Sequence, residues 1–254
     1  MRMGEYVLNI AHMYPDLLNL YGDRGNVLAL LRRAQGRGIE VNVRAYSIGD
    51  SISEKDVDLV FIGGGQDSEQ NIMKDDLIKE KGPIIKQMIE DGVVFLCVCG
   101  GYQMLGKYYE TYDNKRIQCL GALDYYTKGA QVRFIQDTIY EYDGILKDGK
   151  PLTVIGFENH SGRTILGDGV QPLFKVVKGA GNNGQDGFEG ATYKNVFCTY
   201  SHGSFLPKNP KITDMLLEKA LSRKYGESFK LLPLDSEFET IAAKEALKYV
   251  QKST

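Results

Sequence analysis

Cys99 follows the apolar run Val93 to Val98 and precedes Gly100-Gly101-Tyr102-Gln103-Met104-Leu105-Gly106. Such a run suits a strand buried on both faces, and the residues after it read as a helix. A strand that turns sharply into a helix presents the turn residue outward beside backbone N–H groups. This is a nucleophile elbow, with sulfur where serine oxygen is more usual. Two paired glycines fit that turn better than a plain buried thiol. A free thiol is mostly protonated at neutral pH and needs a base or a depressed pKa. Three histidines are available: His12, His160 and His202. His160 in Gly156-Phe-Glu-Asn-His-Ser-Gly162 and His202 in Ser201-His202-Gly203 both follow strand-like apolar runs. Either can serve as the base, while His12 at the end of the first strand is equally read as structural.

Gly63-Gly64-Gly65 closes another apolar run. Attack on a carboxamide develops an oxyanion, which backbone N–H groups hold. Gly100 is expected to give one donor, and the loop Gly63 to Gly65 the other. No Gly-Lys-Ser/Thr follows, so the loop is not a phosphate loop. Arg133 in Gln131-Val-Arg-Phe-Ile135 is a candidate bidentate partner for a carboxylate, or a plain solvated strand residue. Asp16, Asp23, Asp67, Glu158 and Asp186 lie near turns, and none has spacing that marks it as a triad member. A rival reading is a non-catalytic, zinc-binding regulatory protein using Cys97, Cys99, Cys198 and His202, although the Cys-x2-Cys knuckle is missing.

These residues need a frame. The expected strands are 5–11, 40–46, 56–62 and 93–98. Helices are expected from near Asp23 to Ala34, from Ser68 to Glu90 with a break at Gly82-Pro83, and from Gly101 to about Tyr109. That order gives an α/β fold: an open, mostly parallel, twisted sheet flanked by helices. From Cys119 to Phe197, short pieces at 131–137, 138–142, 153–156 and 173–177 predict extra antiparallel β structure. Lys178 to Gly187 reads as a surface loop. Residues 195–200 form a last strand, and 211–224 and 237–251 form final helices, the last a charged surface helix.

The 254 residues fit a single domain, 1–254, with a core at about 5–225 and a helical tail at about 226–254. A hydrophobic fraction of 43% supports a substantial core, and a net charge of −2 gives no footing for nucleic acid. There is no apolar run of bilayer length and no signal-like segment, so a cytoplasmic location is expected. Four cysteines in a reducing compartment imply no disulfides.

Taken together, Phe61-Ile-Gly-Gly-Gly65, Cys97-Val-Cys-Gly-Gly-Tyr-Gln103 and Thr199-Tyr-Ser-His-Gly203 resemble the class I glutamine amidotransferases, in their cobyric-acid-synthase-like branch. Leu18-Asn-Leu-Tyr-Gly-Asp-Arg-Gly-Asn26, Gly156 to Thr164, Gly181-Asn-Asn183 and His202 to Asn209 narrow the resemblance to the glutaminase subunits of lipid II isoglutaminyl synthases. It runs from about Leu17 to Arg223, with a flavodoxin-like sheet as the implied fold.

The resemblance implies that Cys99 attacks L-glutamine, that His202 rather than His160 is the base, and that Arg133 holds the glutamine carboxylate. Gly64, Gly65 and Gly100 surround the oxyanion. No metal or cofactor is expected in this chain. ATP and Mg belong to a Mur-ligase-like synthetase partner in a heterodimer. That partner would amidate the D-glutamate α-carboxylate of the lipid II stem peptide to D-isoglutamine, at the inner membrane face. Another acceptor, such as a cobyric-acid-type metabolite, is the alternative. Two departures stand out: Cys97 replaces the first glycine of the elbow, and Ser204 stands where His-x-Glu would place an acid. The resemblance has an aspartate of the partner complete the triad and the isolated chain hydrolyse glutamine slowly.

Overall fold

The computed structural model describes residues 5–147 and 149–252; residues 1–4, 148, 253 and 254 of the expected 1–254 domain lie outside them. Two six-stranded sheets organise the chain. The first contains β1 (Val7–Met13), β2 (Glu40–Tyr46), β3 (Leu59–Ile62), β4 (Val94–Val98) and, much later, β11 (Ala191–Tyr193) and β12 (Val196–Thr199). Its order is β11-β12-β4-β3-β1-β2, and every pairing is parallel except the β11 edge. The central strands read as unbroken apolar runs because both faces are covered: every residue of β3, β4 and β12 is buried. Between β1 and β3 the strand order changes direction, and such a switch point opens a crevice beyond the carboxyl ends of the strands.

Helices α1 (Arg24–Gln35), α2 (Asp67–Asp75) and α3 (Gly82–Glu90) connect these strands. The expected helix at 68–90 is divided by a π-turn at Asp76–Glu80, and α3 restarts after Lys81 with Pro83 in its first turn. Helix α4 (Gly100–Leu105) is shorter than expected. Gly106 packs so closely on Tyr125 that a Cβ there would lie 2.6 Å from the ring, and the chain passes on into β5 (Tyr108–Glu110).

The second sheet holds β5, β6 (Arg116–Gln118), β7 (Tyr125–Lys147), β8 (Lys150–Leu166), β9 (Phe174–Lys178) and β10 (Phe188–Glu189). The short pieces expected at 131–137 and 138–142 are one strand, β7, and 153–156 is the middle of β8. The polar run Gln136-Asp137-Thr138 divides the first two in the sequence, and Gly156 and Gly162 break up the run of β8. The two strands pair antiparallel over most of their length, with the register broken between Gly129 and Phe134. There Ala130, Gln131, Val132 and Arg133 face Ser161 alone, so Arg133 stands on a bulge rather than in the regular alternation expected.

A continuous core of buried side chains joins both sheets, from Leu8 and Phe61 to Tyr125, Tyr140 and Phe174. Helices α5 (Phe205–Lys208) and α6 (Pro210–Tyr225) follow β12, and α7 (Glu237–Lys252) ends the described chain. Helix α7 is largely exposed, and its buried Val250 packs on Ile139 and Ile155. The segment before it is tied down. Phe229 joins the core, Arg37 donates to Leu232 O (2.7 Å), and Arg33 bonds both Asp214 and Ser236. Among the described residues no helix is long and apolar enough to cross a membrane.

Candidate active site

Cys99 occupies the turn between β4 and α4 with φ 48° and ψ −100°, a conformation that costs a non-glycine residue about 1–3 kcal/mol and therefore needs surrounding structure to impose it. Its N–H donates to Thr199 O on the neighbouring strand end (2.9 Å), and Gly101 N–H donates to Gly63 O (3.0 Å). Gly101 also packs on β3: a Cβ there would fall 2.6 Å from Ile62 O. The elbow is thus clamped between the ends of β3 and β12, and Cys97 in place of glycine does not relax it.

His202 follows β12 and Tyr200-Ser201, and its N–H donates to Phe157 O of β8 (2.7 Å). The imidazole is fully buried, with Nδ1 3.7 Å from Asp23 Oδ1. Asp23, also fully buried, ends the loop that leaves β1 and immediately precedes α1. Its other oxygen, Oδ2, accepts the Gly64 N–H at 2.7 Å. Gly64 lies in the middle of this group: a Cβ would come within 2.7 Å of His202 Cε1, 3.1 Å of Asp23 Oδ2 and 3.3 Å of Cys99 Cβ.

Burial works against a charged His202, but Cys99 and the Asp23 carboxylate outweigh it and push the imidazole pKa up to about 10. The arrangement therefore favours the imidazolium form of His202. The loops that carry Asp23 and His202 are stitched together. Ser204 Oγ donates to Gly22 O (2.7 Å), and Leu206 N–H donates to Asn26 Oδ1 (2.8 Å).

Cys99, His202, Gly65 and Arg133 line one pocket of about 430 Å³, together with Gln70, Gln103, Asn159, His160 and Ser161. The expected site residues are therefore brought together with one difference. Gly64 spends its N–H on Asp23 and does not offer it to the pocket, whereas Gly65 and Gly100 stand back to back, a Cβ on Gly100 reaching within 2.9 Å of Gly65 N. Gln70 Nε2 ties the glycine loop to the elbow helix by donating to Gly65 O (3.2 Å) and Gln103 Oε1 (3.1 Å).

His160 belongs to the pocket wall. It stacks flat on Tyr200 with ring centroids 3.7 Å apart, and Nδ1 faces Gly162 O at 2.8 Å. Burial lowers its pKa despite Glu158 nearby. His12 is buried against Phe61 and does not line this pocket. Cys97 and Cys198 pair across β4 and β12, with Cys97 completely buried and its thiol pushed up by that burial. Cys99 stands apart from them in the turn. Among the described residues no group of three or more His, Cys, Asp or Glu side chains is placed to hold a metal.

Residues 9–210 match the model of the CobB/CobQ-like glutamine amidotransferase domain. The chain belongs to this family. The glutamine-hydrolysing subunit GatD of lipid II isoglutaminyl synthase from Staphylococcus aureus is 46% identical over 240 residues, 94% of each chain. The subunit of the same name from Streptococcus pneumoniae is 44% identical over 227 residues, 89% of this chain and 85% of the other. A solved glutamine amidotransferase from Thermotoga maritima superposes with a TM-score of 0.53 at 16% identity, covering 96% of both chains, which speaks for the fold. This amidotransferase thus carries its family's α/β frame and a cysteine elbow. The acid beside its histidine is Asp23, which sequence spacing did not single out. The signal that could have found it is the glycine on each side, Gly22 and Gly25, around one acid at a helix start.

Proposed function

We propose that this chain is the glutaminase subunit of a lipid II isoglutaminyl synthase. The observation that carries the reading is the elbow pocket of Cys99 and His202 in a chain 46% identical, over 94% of its length, to a subunit so named. The Cys99 thiolate attacks the side-chain carbonyl carbon of L-glutamine, and the N–H groups of Gly65 and Gly100 receive the oxyanion. His202 gives its proton to the leaving nitrogen; ammonia departs and a glutamyl thioester remains. Water then attacks the thioester as His202 takes its proton, releasing glutamate and restoring the thiolate. Arg133 binds the α-carboxylate of glutamine.

Ammonia passes to a Mur-ligase-like synthetase that spends ATP with Mg, activating the D-glutamate α-carboxylate of the lipid II stem peptide and amidating it to D-isoglutamine. The pair works in the cytoplasm at the membrane face. In the free chain Asp23 holds the imidazole at an Oδ1–Nδ1 distance of 3.7 Å. On this reading docking of the synthetase tightens that hold, by closing Asp23 onto Nδ1 or by adding an aspartate of its own, and the free chain is slow.

Labelling with an electrophilic glutamine analogue tests the assignment. A single adduct on Cys99 by peptide mapping, prevented by excess glutamine, is the expected result. An adduct on Cys97, or none with the synthetase bound, overturns it.

A further inference from the structure

The guanidinium of Arg133 is held by Asn159 on β8, which lies opposite Ile135 in the register. Nε and Nη2 both donate to Asn159 Oδ1 (3.0 and 2.9 Å), and Nη2 donates again to Asn159 O (2.9 Å). One edge of the guanidinium is thereby used, and the Nη1 side is left for a ligand. The residues that flank Arg133 are held separately. Arg163 Nη2 donates to Val132 O (2.8 Å), and its guanidinium carbon lies 3.4 Å from the centroid of the Phe134 ring. Arg163 Nη1 also donates to the Ser161 and Gly162 carbonyls opposite the bulge (3.2 and 3.3 Å). An exposed arginine on a four-to-one bulge would otherwise sample many rotamers, at a cost to any ligand that must fix one.

From this geometry we infer that Asn159 and Arg163 are positioning residues that pre-set Arg133 as a carboxylate receptor, and so set the enzyme's preference for a substrate with a free α-carboxylate. The inference rests on Arg133 receiving that carboxylate. Both residues act through Arg133: Asn159 fixes the guanidinium plane, and Arg163 fixes the bulge on which it stands. Among the described residues that line the pocket there is no other arginine and no lysine, so the preference depends on how well this one is aimed.

The test compares hydrolysis of L-glutamine with that of its α-methyl ester, in the full chain with the synthetase bound, for the wild type, N159A, R163K and R133A. N159A should raise KM for glutamine about tenfold, leave kcat within about twofold, and shrink the preference for glutamine over the ester by a like factor. R163K keeps a charge but loses the planar fork, and should give a weaker change of the same kind, about threefold. In an R133A background, N159A should add nothing. Unchanged KM and preference in N159A and R163K, while R133A loses both, would overturn the inference and leave the reading of Arg133 standing. So would a fall in kcat alone, which is the mark of a structural role. A preference untouched by R133A would instead remove the reading of Arg133 itself. If N159A does not fold, R163K and the R133A pairing carry the same comparison.

Discussion

The two walls of the elbow pocket are built on opposite plans. One wall is the carboxyl edge of the parallel sheet, where Cys99, Gly64, Asp23 and His202 are buried and held by backbone contacts between strand ends. The other wall is the β7–β8 arm, where Arg133 stands exposed on a register break and is bonded by the Asn159 side chain. The first wall leaves its residues little choice of position, because each strand end is locked by its neighbours. The second relies on a few replaceable hydrogen bonds. Chemistry and recognition should therefore fail differently when each is disturbed.

The sharpest contrast comes from G64A. Gly64 has an ordinary backbone, so the fold should survive, but its new methyl would meet His202, Asp23 and Cys99 together. Turnover should drop on the order of a hundredfold or more with glutamine KM little altered. Near-normal kcat in a folded G64A would show the catalytic wall to be as yielding as the arm. D23N comes next. It removes the charge beside His202 and should lower free-chain turnover about a hundredfold, and still cost activity in the complex. Complex turnover equal to wild type would assign the orienting carboxylate wholly to the synthetase.

The smallest effect is on stability. His202 has a folded pKa raised to about 10, from 6.5. Its stabilising contribution is then complete below about pH 6.5 and is lost as pH climbs through about 10. H202N should flatten the decline of Tm across that window. An unchanged slope would mean that the imidazolium is not held by Cys99 and Asp23.

Much of the catalytic wall was legible because its residues sit at the ends of apolar runs. Val93 to Val98 announced Cys99, the run 56–62 announced the glycine loop, and the run 195–200 led to His202. Asp23 was not legible, because the loop that carries it reaches the site only once β1 lies beside β3, and a single acid in a turn has no period. Gly64 was read as an oxyanion donor for the same reason: its acceptor could not be named before Asp23 was placed. The arm was harder still. Its strands are half-exposed and broken by glycines, so β7 and β8 read as fragments. The bulge under Arg133 is a count of residues on one strand against another, which neither strand shows by itself.

The bonds from Ser204 to Gly22 and from Leu206 to Asn26 have a consequence for motion. They make 22–26 and 202–206 one local unfolding unit, despite their separation in the chain. Amide hydrogens in the two segments should then exchange with the same opening free energy and respond together to denaturant. The histidine and its acid would leave the folded ensemble as a pair, so transient opening yields either an intact catalytic group or none.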